Sequence, residues 1–467
     1  MKGMISLALC AALLVGSALA EDRPNVLLIA IDDLRTDLGA YGHPTAVTPN
    51  LDAFAESGLL FENAITQQAV CAPSRAALML GLRPDTTGIQ TLKQPVSETV
   101  PDAVSVAKLF KRAGYETIQV GKIYHHKEDD ADAWSKPAFS TMQEVRRARR
   151  KAGDKLAAKR VADPSELPDV QNVERAIGEL RRLAEGDDPF FLAFGVHKPH
   201  LPFYAPDLAW ELYAEEDVPE PVSREPQAGA PDWALVAYEV NAYHDTPPKG
   251  QPIPEETADR LRHGYLAAVS FADGVVGTLL AEVEALGLED DTIVVIWSDH
   301  GFKLGDYDAW AKHSNVELDI HIPLMIRVPG QTKAGSRSAA MVETVDVYPT
   351  LAELAGLEAP TDLEGLSMMP LLKRPGRRWK EAAFAQYDRG GARNKREGDT
   401  VRTERFRYTL WTDGNTGEVL ARELYDHEAD PNELRNVADD EKYAKELARL
   451  DALLEAGPDA VKDKVRR

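Results

Sequence analysis

The chain has 467 residues, with 76 acidic against 54 basic side chains and a formal net charge of −22. This length exceeds one ordinary hydrophobic core and predicts one large domain with a smaller one. The negative charge argues against nucleic acid as a partner, and an anionic substrate would require Lys and Arg to be concentrated locally against the overall sign.

The first twenty residues have the pattern of a secretory signal peptide. Lys2 precedes an apolar run over residues 5–15, and an Ala-Leu-Ala cleavage site ends at Ala20. We therefore expect residues 1–20 to be removed and the product to be exported, either periplasmic or secreted. No later stretch approaches the length expected of a membrane-spanning helix, so we predict no membrane partner once the signal is removed.

Strands and helices alternate along most of the chain. The apolar run at 26–31 predicts a strand buried on both faces. Further strands are predicted at 117–120, 189–196 and 292–297, and helices at 51–57, 102–112, 170–183 and 255–286. This alternation predicts an α/β domain over residues 21–390, with a mostly parallel central sheet flanked by helices.

The pattern changes near residue 390. Strand candidates at 405–411 and 418–425, followed by a charged helix from about Glu441, predict a small α+β domain over residues 391–467. Two other segments are less informative. The basic run 146–151 could touch a polyanion but is most simply a solvated helix face, and the Pro-rich segment 218–254 predicts a long surface excursion.

Cysteine usage singles out one residue. Cys10 lies within the predicted signal, so Cys71 has no partner for a disulfide in the mature chain. Pro73 and the apolar residues after it predict a helix that begins just after Cys71. The free N–H groups of a helix N-terminus favour an anionic group or oxyanion, whereas a buried structural thiol is the alternative. The local sequence leaves both open.

Acidic residues follow two of the predicted buried strands. Asp32 and Asp33 end the first strand, and Asp299 and His300 follow the strand at 292–297. The carboxyl ends of parallel strands lie at one edge of the sheet, where ligands bind. Grouped carboxylates need a cation, and hard oxygen ligands suit Ca²⁺ or Mg²⁺ better than zinc. The pair of acidic strand ends predicts a divalent metal site, although a cap or solvated loop would explain any single aspartate.

Basic and imidazole side chains follow the same strand ends and the Cys71 helix. The candidates are Arg75, Lys122, Lys198, Lys312, His125, His197 and His200. Arg75 lies four residues after Cys71, so one helix face can carry both. A cation site, positive side chains and a helix N-terminus together indicate an anionic tetrahedral group as substrate. A surface or core role stays open for each residue taken alone.

These motifs resemble a known family. Cys71-Ala72-Pro73-Ser74-Arg75 matches the C-x-P-S-R signature of type I sulfatases, whose cysteine is oxidised to Cα-formylglycine. The chain is most similar to the iduronate-2-sulfatase-like branch, within the alkaline phosphatase superfamily. The resemblance is collinear over nearly the whole mature chain and rests on Asp32-Asp33-Leu34-Arg35, Gly121-Lys122-Ile123-Tyr124-His125, His197-Lys198-Pro199-His200, Ser298-Asp299-His300-Gly301, Trp310-Ala311-Lys312 and Glu423-Leu424-Tyr425-Asp426.

The resemblance implies a role for each matching residue. A divalent cation, usually Ca²⁺ and alternatively Mg²⁺, would be held by Asp32, Asp33, Asp299, His300 and the modified Cys71. The formylglycine hydrate would be stabilised by Arg75 and Lys122, with His125 assisting its proton transfers. His197 and Lys312 would contact the sulfate and protonate the leaving oxygen.

The implied activity is sulfuric ester hydrolysis on a sulfated sugar or polysaccharide, including a 2-O-sulfated uronate. A formylglycine-generating maturation enzyme would first convert Cys71, and Leu80 stands where the family usually has a threonine in the stretch which that enzyme reads. Two alternatives remain. One is a phosphonate or phosphodiester hydrolase of the same superfamily, and the other is a non-catalytic sulfated-glycan-binding protein with an unmodified Cys71.

Overall fold

The computed structural model describes residues 23–235, 239–391 and 393–466, so the predicted signal peptide and Cys10 lie outside the described residues. The helices are α1 (Pro49–Ser57), α2 (Cys71–Leu80), α3 (Pro84–Thr87), α4 (Val96–Thr99), α5 (Val106–Arg112), α6 (Met142–Ala152), α7 (Pro168–Ala184), α8 (Asp207–Trp210), α9 (Glu255–Ala285), α10 (Glu317–Ile320), α11 (Val347–Leu354), α12 (Met369–Lys373) and α13 (Ala444–Arg466). The strands are β1 (Asn25–Asp32), β2 (Leu59–Ile65), β3 (Glu116–Gly121), β4 (Ala158–Val161), β5 (Phe190–Pro199), β6 (Phe203–Pro206), β7 (Thr292–Ser298), β8 (His321–Arg327), β9 (Ser336–Glu343), β10 (Ala383–Gln386), β11 (Arg396–Arg402), β12 (Phe406–Asp413) and β13 (Val419–Asp426).

A seven-stranded sheet forms the centre, in the order β3-β5-β1-β7-β8-β2-β9. Strand β1 pairs in parallel with β5 and β7, β3 with β5, and β2 with β9. Strand β8 is antiparallel to both β7 and β2. The predicted mostly parallel sheet is confirmed. The chain reverses between β7 and β8, and residues 299–320, which include α10, connect the two strands from the carboxyl end of β7.

Helices cover both faces of this sheet. Side chains of a strand alternate between faces, and in β1 every residue from Val26 to Ile31 is fully buried. Leu27, Ile29 and Ile31 pack in the core that includes α7 and α9. Val26, Leu28 and Ala30 pack in a second core with α2, α5 and α11. A strand that is apolar on both faces therefore fits the centre of a doubly covered sheet.

Helix α9 corrects one expectation. By length and composition this 31-residue helix could cross a membrane, whereas we expected no stretch of that length after the signal. Of its most apolar stretch of 18 residues, 61% is buried inside the protein. Leu261, Tyr265 and Val276 belong to the hydrophobic core beneath the sheet. Its apolar composition is therefore that of a core helix.

A second, antiparallel sheet has the order β10-β11-β12-β13. Val401, Tyr408 and Leu424 of this sheet pack against Leu450 and Leu453 of α13. The predicted small α+β unit is confirmed. The predicted strands at 405–411 and 418–425 correspond to β12 and β13. Strand β10 precedes residue 390, and the domain boundary at that residue stays a prediction.

Candidate active site

Cys71 is the first residue of α2 and is 2% exposed. We expected the helix to begin one residue later, but the extended backbone of Val70 already acts as its N-cap. The first turn is fastened to the end of β7, because Ser74 Oγ donates to the carbonyl oxygen of Asp299 at 2.6 Å and accepts from Thr66 Oγ1 at 2.8 Å. Every residue of α2 is buried, so its N-terminus points into the protein at the carboxyl edge of the sheet.

Four predicted metal ligands converge at this edge. One ligand atom from each of Asp32, Cys71, Asp299 and His300 lies within 4.8 Å of the other three, and all four residues are buried. His300 Nε2 lies 3.3 Å from Cys71 Sγ. Three separate segments, β1, α2 and the loop after β7, thus bring their side chains to one point.

Asp33 joins the cluster through an unusual backbone turn. Consecutive strand residues point to opposite faces, but Asp33 has a φ of 63°, in the left-handed region. Its N–H donates to Asp299 Oδ1 at 3.1 Å, and its carbonyl accepts from Tyr265 Oη at 2.9 Å. The turn brings a ligand atom of Asp33 within 4.8 Å of those of Asp32, Cys71 and His200.

The electrostatics of the cluster fit a cation. Burial would lower the pKa of His300, but its interactions with Asp299, Cys71 and Asp33 outweigh burial and raise that pKa to about 10. The surroundings of the His300 ring thus stabilise an extra positive charge. A divalent ion can supply that charge in place of the proton on His300. Carboxylate oxygens with one imidazole form a donor set that Ca²⁺ and Mg²⁺ can use, and the chain thus has a possible metal site that includes Cys71.

Arg75 ties three strand ends together. Its side chain is fully buried, with Nε 2.7 Å from Asp299 Oδ2 and Nη2 3.0 Å from Asp32 Oδ1. Nη1 donates to the carbonyl oxygens of Lys122 and Ile123, the latter at 3.1 Å. The pKa of Arg75 is raised, because these carboxylates outweigh its burial. A guanidinium with fixed donors is suited to hold such a frame rigid.

Lys122 enters the site through a close approach of two strands. A Cβ at Gly121 would lie 2.0 Å from the carbonyl oxygen of Gly195, and Gly121 has a φ of 78°, so glycine is required where β3 ends. Lys122 Nζ then pairs with Asp32 Oδ2. Burial lowers the pKa of Lys122, but the charge of Asp32 outweighs burial and raises it above its usual value.

Lys312 approaches from the loop between β7 and β8. Its Nζ lies 3.0 and 2.9 Å from the two carboxylate oxygens of Asp33 and 3.6 Å from Glu239 Oε1. Glu239 lies in the Pro-rich segment, and no sequence signal distinguished it. The predicted cations Arg75, Lys122 and Lys312 are therefore all within the cluster.

The three candidate histidines differ in their surroundings. His125 is partly buried, its Nδ1 lacks a hydrogen-bond partner among the described residues, and burial and then Lys122 lower its pKa to about 3. His197 Nδ1 lies 3.1 Å from Asp169 Oδ1, which also accepts the His197 N–H. His200 places a ring nitrogen within 4.8 Å of ligand atoms of Asp32, Asp33 and Cys71. Asp169, missed in the sequence, thus orients His197, and the sulfate-binding role of His197 stays a prediction.

Comparison with known proteins identifies the family. The family model described as Sulfatase matches residues 24–357, and the model described as N-sulphoglucosamine sulphohydrolase, C-terminal, matches residues 305–458. Iduronate 2-sulfatase from Homo sapiens is 33% identical, and the alignment covers 90% of this chain and 92% of that protein. Delta 4,5-hexuronate-2-O-sulfatase from Bacteroides thetaiotaomicron is 28% identical, with coverage of 97% and 91%.

Solved structures share the fold. The phosphonate monoester hydrolase of Agrobacterium radiobacter superposes with a TM-score of 0.78 at 24% identity, covering 93% of this chain and 95% of that chain. At this identity the likeness concerns the fold alone and does not favour phosphonate chemistry. The match of the Sulfatase model over more than half of the chain, with the 33% identical relative, shows that this chain belongs to the sulfatase family and is a sulfuric ester hydrolase.

Proposed function

We propose that this sulfatase removes sulfate from a sulfated sugar or polysaccharide, with a 2-O-sulfated uronate as the preferred unit. The observation that carries the proposal is the convergence of Cys71 with Asp32, Asp299 and His300 at one buried sheet edge. The choice of sugar is supported by the names of two relatives, iduronate 2-sulfatase and Delta 4,5-hexuronate-2-O-sulfatase.

The proposal includes two groups that the family generally uses. Cys71 is converted by a maturation enzyme to Cα-formylglycine, whose hydrate supplies a hydroxyl nucleophile. A divalent cation, Ca²⁺ in our proposal, supplies positive charge against the anionic sulfate. It would be held by Asp32, Asp33, Asp299, His300 and residue 71.

The remaining side chains have complementary tasks. Arg75 holds Asp299 and Asp32 in fixed orientations through its Nε and Nη2 atoms. Lys122 and Lys312 place two ammonium groups at the cluster, where they can bind sulfate oxygens. Burial and then Lys122 lower the pKa of His125 to about 3, so the ring is neutral and one of its nitrogens can accept a hydrogen bond.

The preferred sugar is tested with matched substrates. Sulfate release is measured from a disaccharide with a 2-O-sulfated uronate and from the same disaccharide sulfated only at the hexosamine 6-position. We expect kcat/KM to be at least ~10-fold higher for the former, because differential binding by placed polar groups reaches that range. A preference for the 6-O-sulfate would contradict the uronate assignment. The Cys71→Ala variant provides the background rate.

The phosphodiester alternative is tested on the same preparation. Turnover of an aryl sulfate is compared with that of the matching aryl phosphodiester, and we expect the sulfate to be preferred. A clear preference for the phosphodiester would contradict the proposed function.

Conversion of Cys71 is tested by mass spectrometry of the peptide that contains it, in protein from the native host. Leu80 is buried at the end of α2, so Leu80→Thr is a matched variant that restores the usual family residue. We expect formylglycine in both proteins. An unmodified thiol in an active preparation would contradict the proposed chemistry. The amino-terminal sequence of the same protein tests export, which predicts a start near Glu21.

A further inference from the structure

Helix α6 carries a row of arginines without acidic partners. Counted at 100° per residue, the basic side chains form one continuous arc around the helix, in the order Arg149, Arg146, Arg150, Arg147 and Lys151. Among the described residues no carboxylate lies within ion-pair distance of Arg146, Arg147, Arg150 or Lys151, and these four are exposed. We call these four residues the basic arc.

The neighbouring helix α7 provides a contrast. Arg175 of α7 pairs with Glu179 at 2.6 Å, Arg181 with Glu282 at 2.7 Å, and Arg182 with Glu116 at 2.7 Å. In a protein of net charge −22, exposed arginines have acidic residues to pair with. The helix dipole favours basic residues in the last turn, but Arg146 and Arg147 precede that turn.

Both ends of α6 are fastened to segments that supply catalytic residues. Before the helix, the Phe139 carbonyl accepts from the N–H of Gly121, the residue preceding Lys122. After the helix, Asp154 accepts from Tyr204 Oη at 2.5 Å, four residues beyond His200. The basic arc is thereby held beside the carboxyl edge of the sheet.

One ring contact and one electrostatic interaction relate α6 to the neighbouring segments. The guanidinium of Arg149, which borders the basic arc, lies 4.3 Å from the ring centroid of Tyr204. Burial and the charge of Glu239 raise the pKa of Tyr243, and the positive charges of Lys312 and Arg146 oppose the rise. Tyr243 is therefore within electrostatic range of both Lys312 and Arg146.

We infer that the basic arc of α6 is a second anion-binding site, which binds sulfate or carboxylate groups of the same polysaccharide chain at sugar units beyond the one being hydrolysed. The inference rests on the proposed function for its substrate class. Arg146 and Lys151 are five residues apart, so the arc extends roughly 8 Å along the helix. Arginine pairs with sulfate and carboxylate through two parallel hydrogen bonds, and exposed arginines keep all five donors available.

A sugar polyanion fits the arc better than other anionic partners. None of the exposed large apolar side chains of the described residues lies on α6, so the arc has nothing to insert into a lipid surface. The overall charge of −22 opposes binding of long nucleic acids. A short oligosaccharide already anchored at the sulfate site needs a few local contacts, which the arc can supply.

The test removes the arc without touching the catalytic residues. Arg146→Gln, Arg147→Gln and Arg150→Gln are combined in the Cys71→Ala background, and heparin binding is measured between 50 and 200 mM salt. We expect the affinity to fall about 10- to 100-fold. The slope of log affinity against log salt should decrease in magnitude by about 2–3, because binding with fewer ionic contacts releases fewer counterions. With Cys71 intact, kcat/KM for a small aryl sulfate stays within about twofold.

A matched control removes three exposed arginines elsewhere. Arg374, Arg377 and Arg378 lie beside Pro375, whose carbonyl accepts from Ser338 Oγ near the amino-terminal end of β9. We expect their change to Gln to alter heparin affinity less than twofold. Equal losses for both triples, or none for the α6 triple, would overturn the inference.

The binding assay separates this inference from the proposed function. Heparin affinity that depends on the arc supports the second site even if no sulfate ester is hydrolysed. Turnover of sulfated sugars without any effect of the arc on oligosaccharide affinity overturns the second site alone. Arginine-dependent binding to anionic lipid vesicles or DNA in place of heparin would show that the partner class is wrong.

Discussion

Two clusters of charged residues in this protein look alike by distance and differ in chemistry. One is the buried cluster around Cys71, which is the proposed catalytic edge. The other is the junction between the β10–β13 sheet and the loop before β8, where one ligand atom from each of Glu317, His427 and Glu433 lies within 4.8 Å of the others. By proximity alone, both could hold a metal ion.

The junction neutralises its own carboxylates. Arg402 approaches Glu317 with Nε at 2.8 Å and Nη2 at 2.9 Å, and Arg407 approaches Glu433 with Nε at 2.5 Å and Nη2 at 2.9 Å. Burial would raise the pKa of Glu433, but the charge of Arg407 outweighs it and lowers the pKa to about 2. Each carboxylate thus has a guanidinium across both oxygens.

The catalytic edge is less completely neutralised. Both oxygens of Asp33 share the one ammonium of Lys312, and burial raises the pKa of Asp33 to about 6 despite that charge. Asp32 differs, because Lys122 and Arg75 outweigh burial and lower its pKa. A planar guanidinium pairs with both oxygens of a carboxylate through two parallel hydrogen bonds. An ammonium is a point charge, and another cation can displace it more easily. Of these carboxylates, Glu317 and Glu433 are each closed by an arginine, whereas Asp33 is paired with an ammonium alone and can take an ion.

The largest effect is expected at the catalytic edge. Cys71→Ala should reduce kcat for sulfate release by about 10⁴-fold or more, because loss of a nucleophile has effects of that order. The thermal midpoint should change little, since the side chain is small. Full activity in this variant would contradict the role assigned to residue 71.

The junction should respond in the opposite way. Glu433→Ala leaves Arg407 buried without its carboxylate, which costs about 3–5 kcal/mol of unfolding free energy. Denaturant unfolding measures that loss. At denaturant concentrations well below the unfolding midpoint, kcat of the variant should stay within about threefold of that of the parent protein. A large loss of kcat with an unchanged midpoint would mean that the junction serves catalysis and that the contrast is wrong.

Parts of this contrast could be predicted from the sequence. Asp32 and Asp299 follow apolar runs that can only be buried strands, so their meeting at one edge follows from parallel pairing. The reversal of β8 could not be predicted, because strand direction depends on long-range pairing. Strand β11 was missed because its residues are largely polar and it is defined by its pairing with β10 and β12.

The local roles of the histidines were equally hidden. His197 and His200 lie in one short motif, and the sequence cannot tell which ring faces Cys71. That choice depends on Asp169, which is distant in sequence and holds His197 from α7. Glu239 reaches Lys312 from a segment without regular pattern, so its position follows from tertiary packing alone.

Metal binding tests the contrast directly. Adding Ca²⁺ to chelator-treated protein should raise the thermal midpoint, because a ligand at about 100 times its Kd stabilises the folded state by about 2.7 kcal/mol. Asp33→Asn should abolish most of this rise, and Glu433→Gln should leave it intact. A rise that depends on Glu433 and is independent of Asp33 would place the ion at the junction.

The smallest effect concerns Asp399, another carboxylate with incomplete neutralisation. Burial and then Asp85, Asp388 and Glu397 raise its pKa to about 7, while Lys395 opposes the rise. The folded state therefore keeps a proton on Asp399 that the unfolded chain has lost, and this residue costs stability as the pH rises from about 4 to about 7.

Asp399→Asn should remove that cost. We expect the variant to be more stable than the parent at pH 8 by on the order of 1–2 kcal/mol, after allowing for solvent screening at this partly exposed carboxyl, and equally stable near pH 4. Denaturant unfolding at both pH values measures the difference. A gain of the same size at both would show that packing, and not charge, is responsible. In that case a raised carboxylate pKa, as at Asp33, would not by itself indicate missing positive charge.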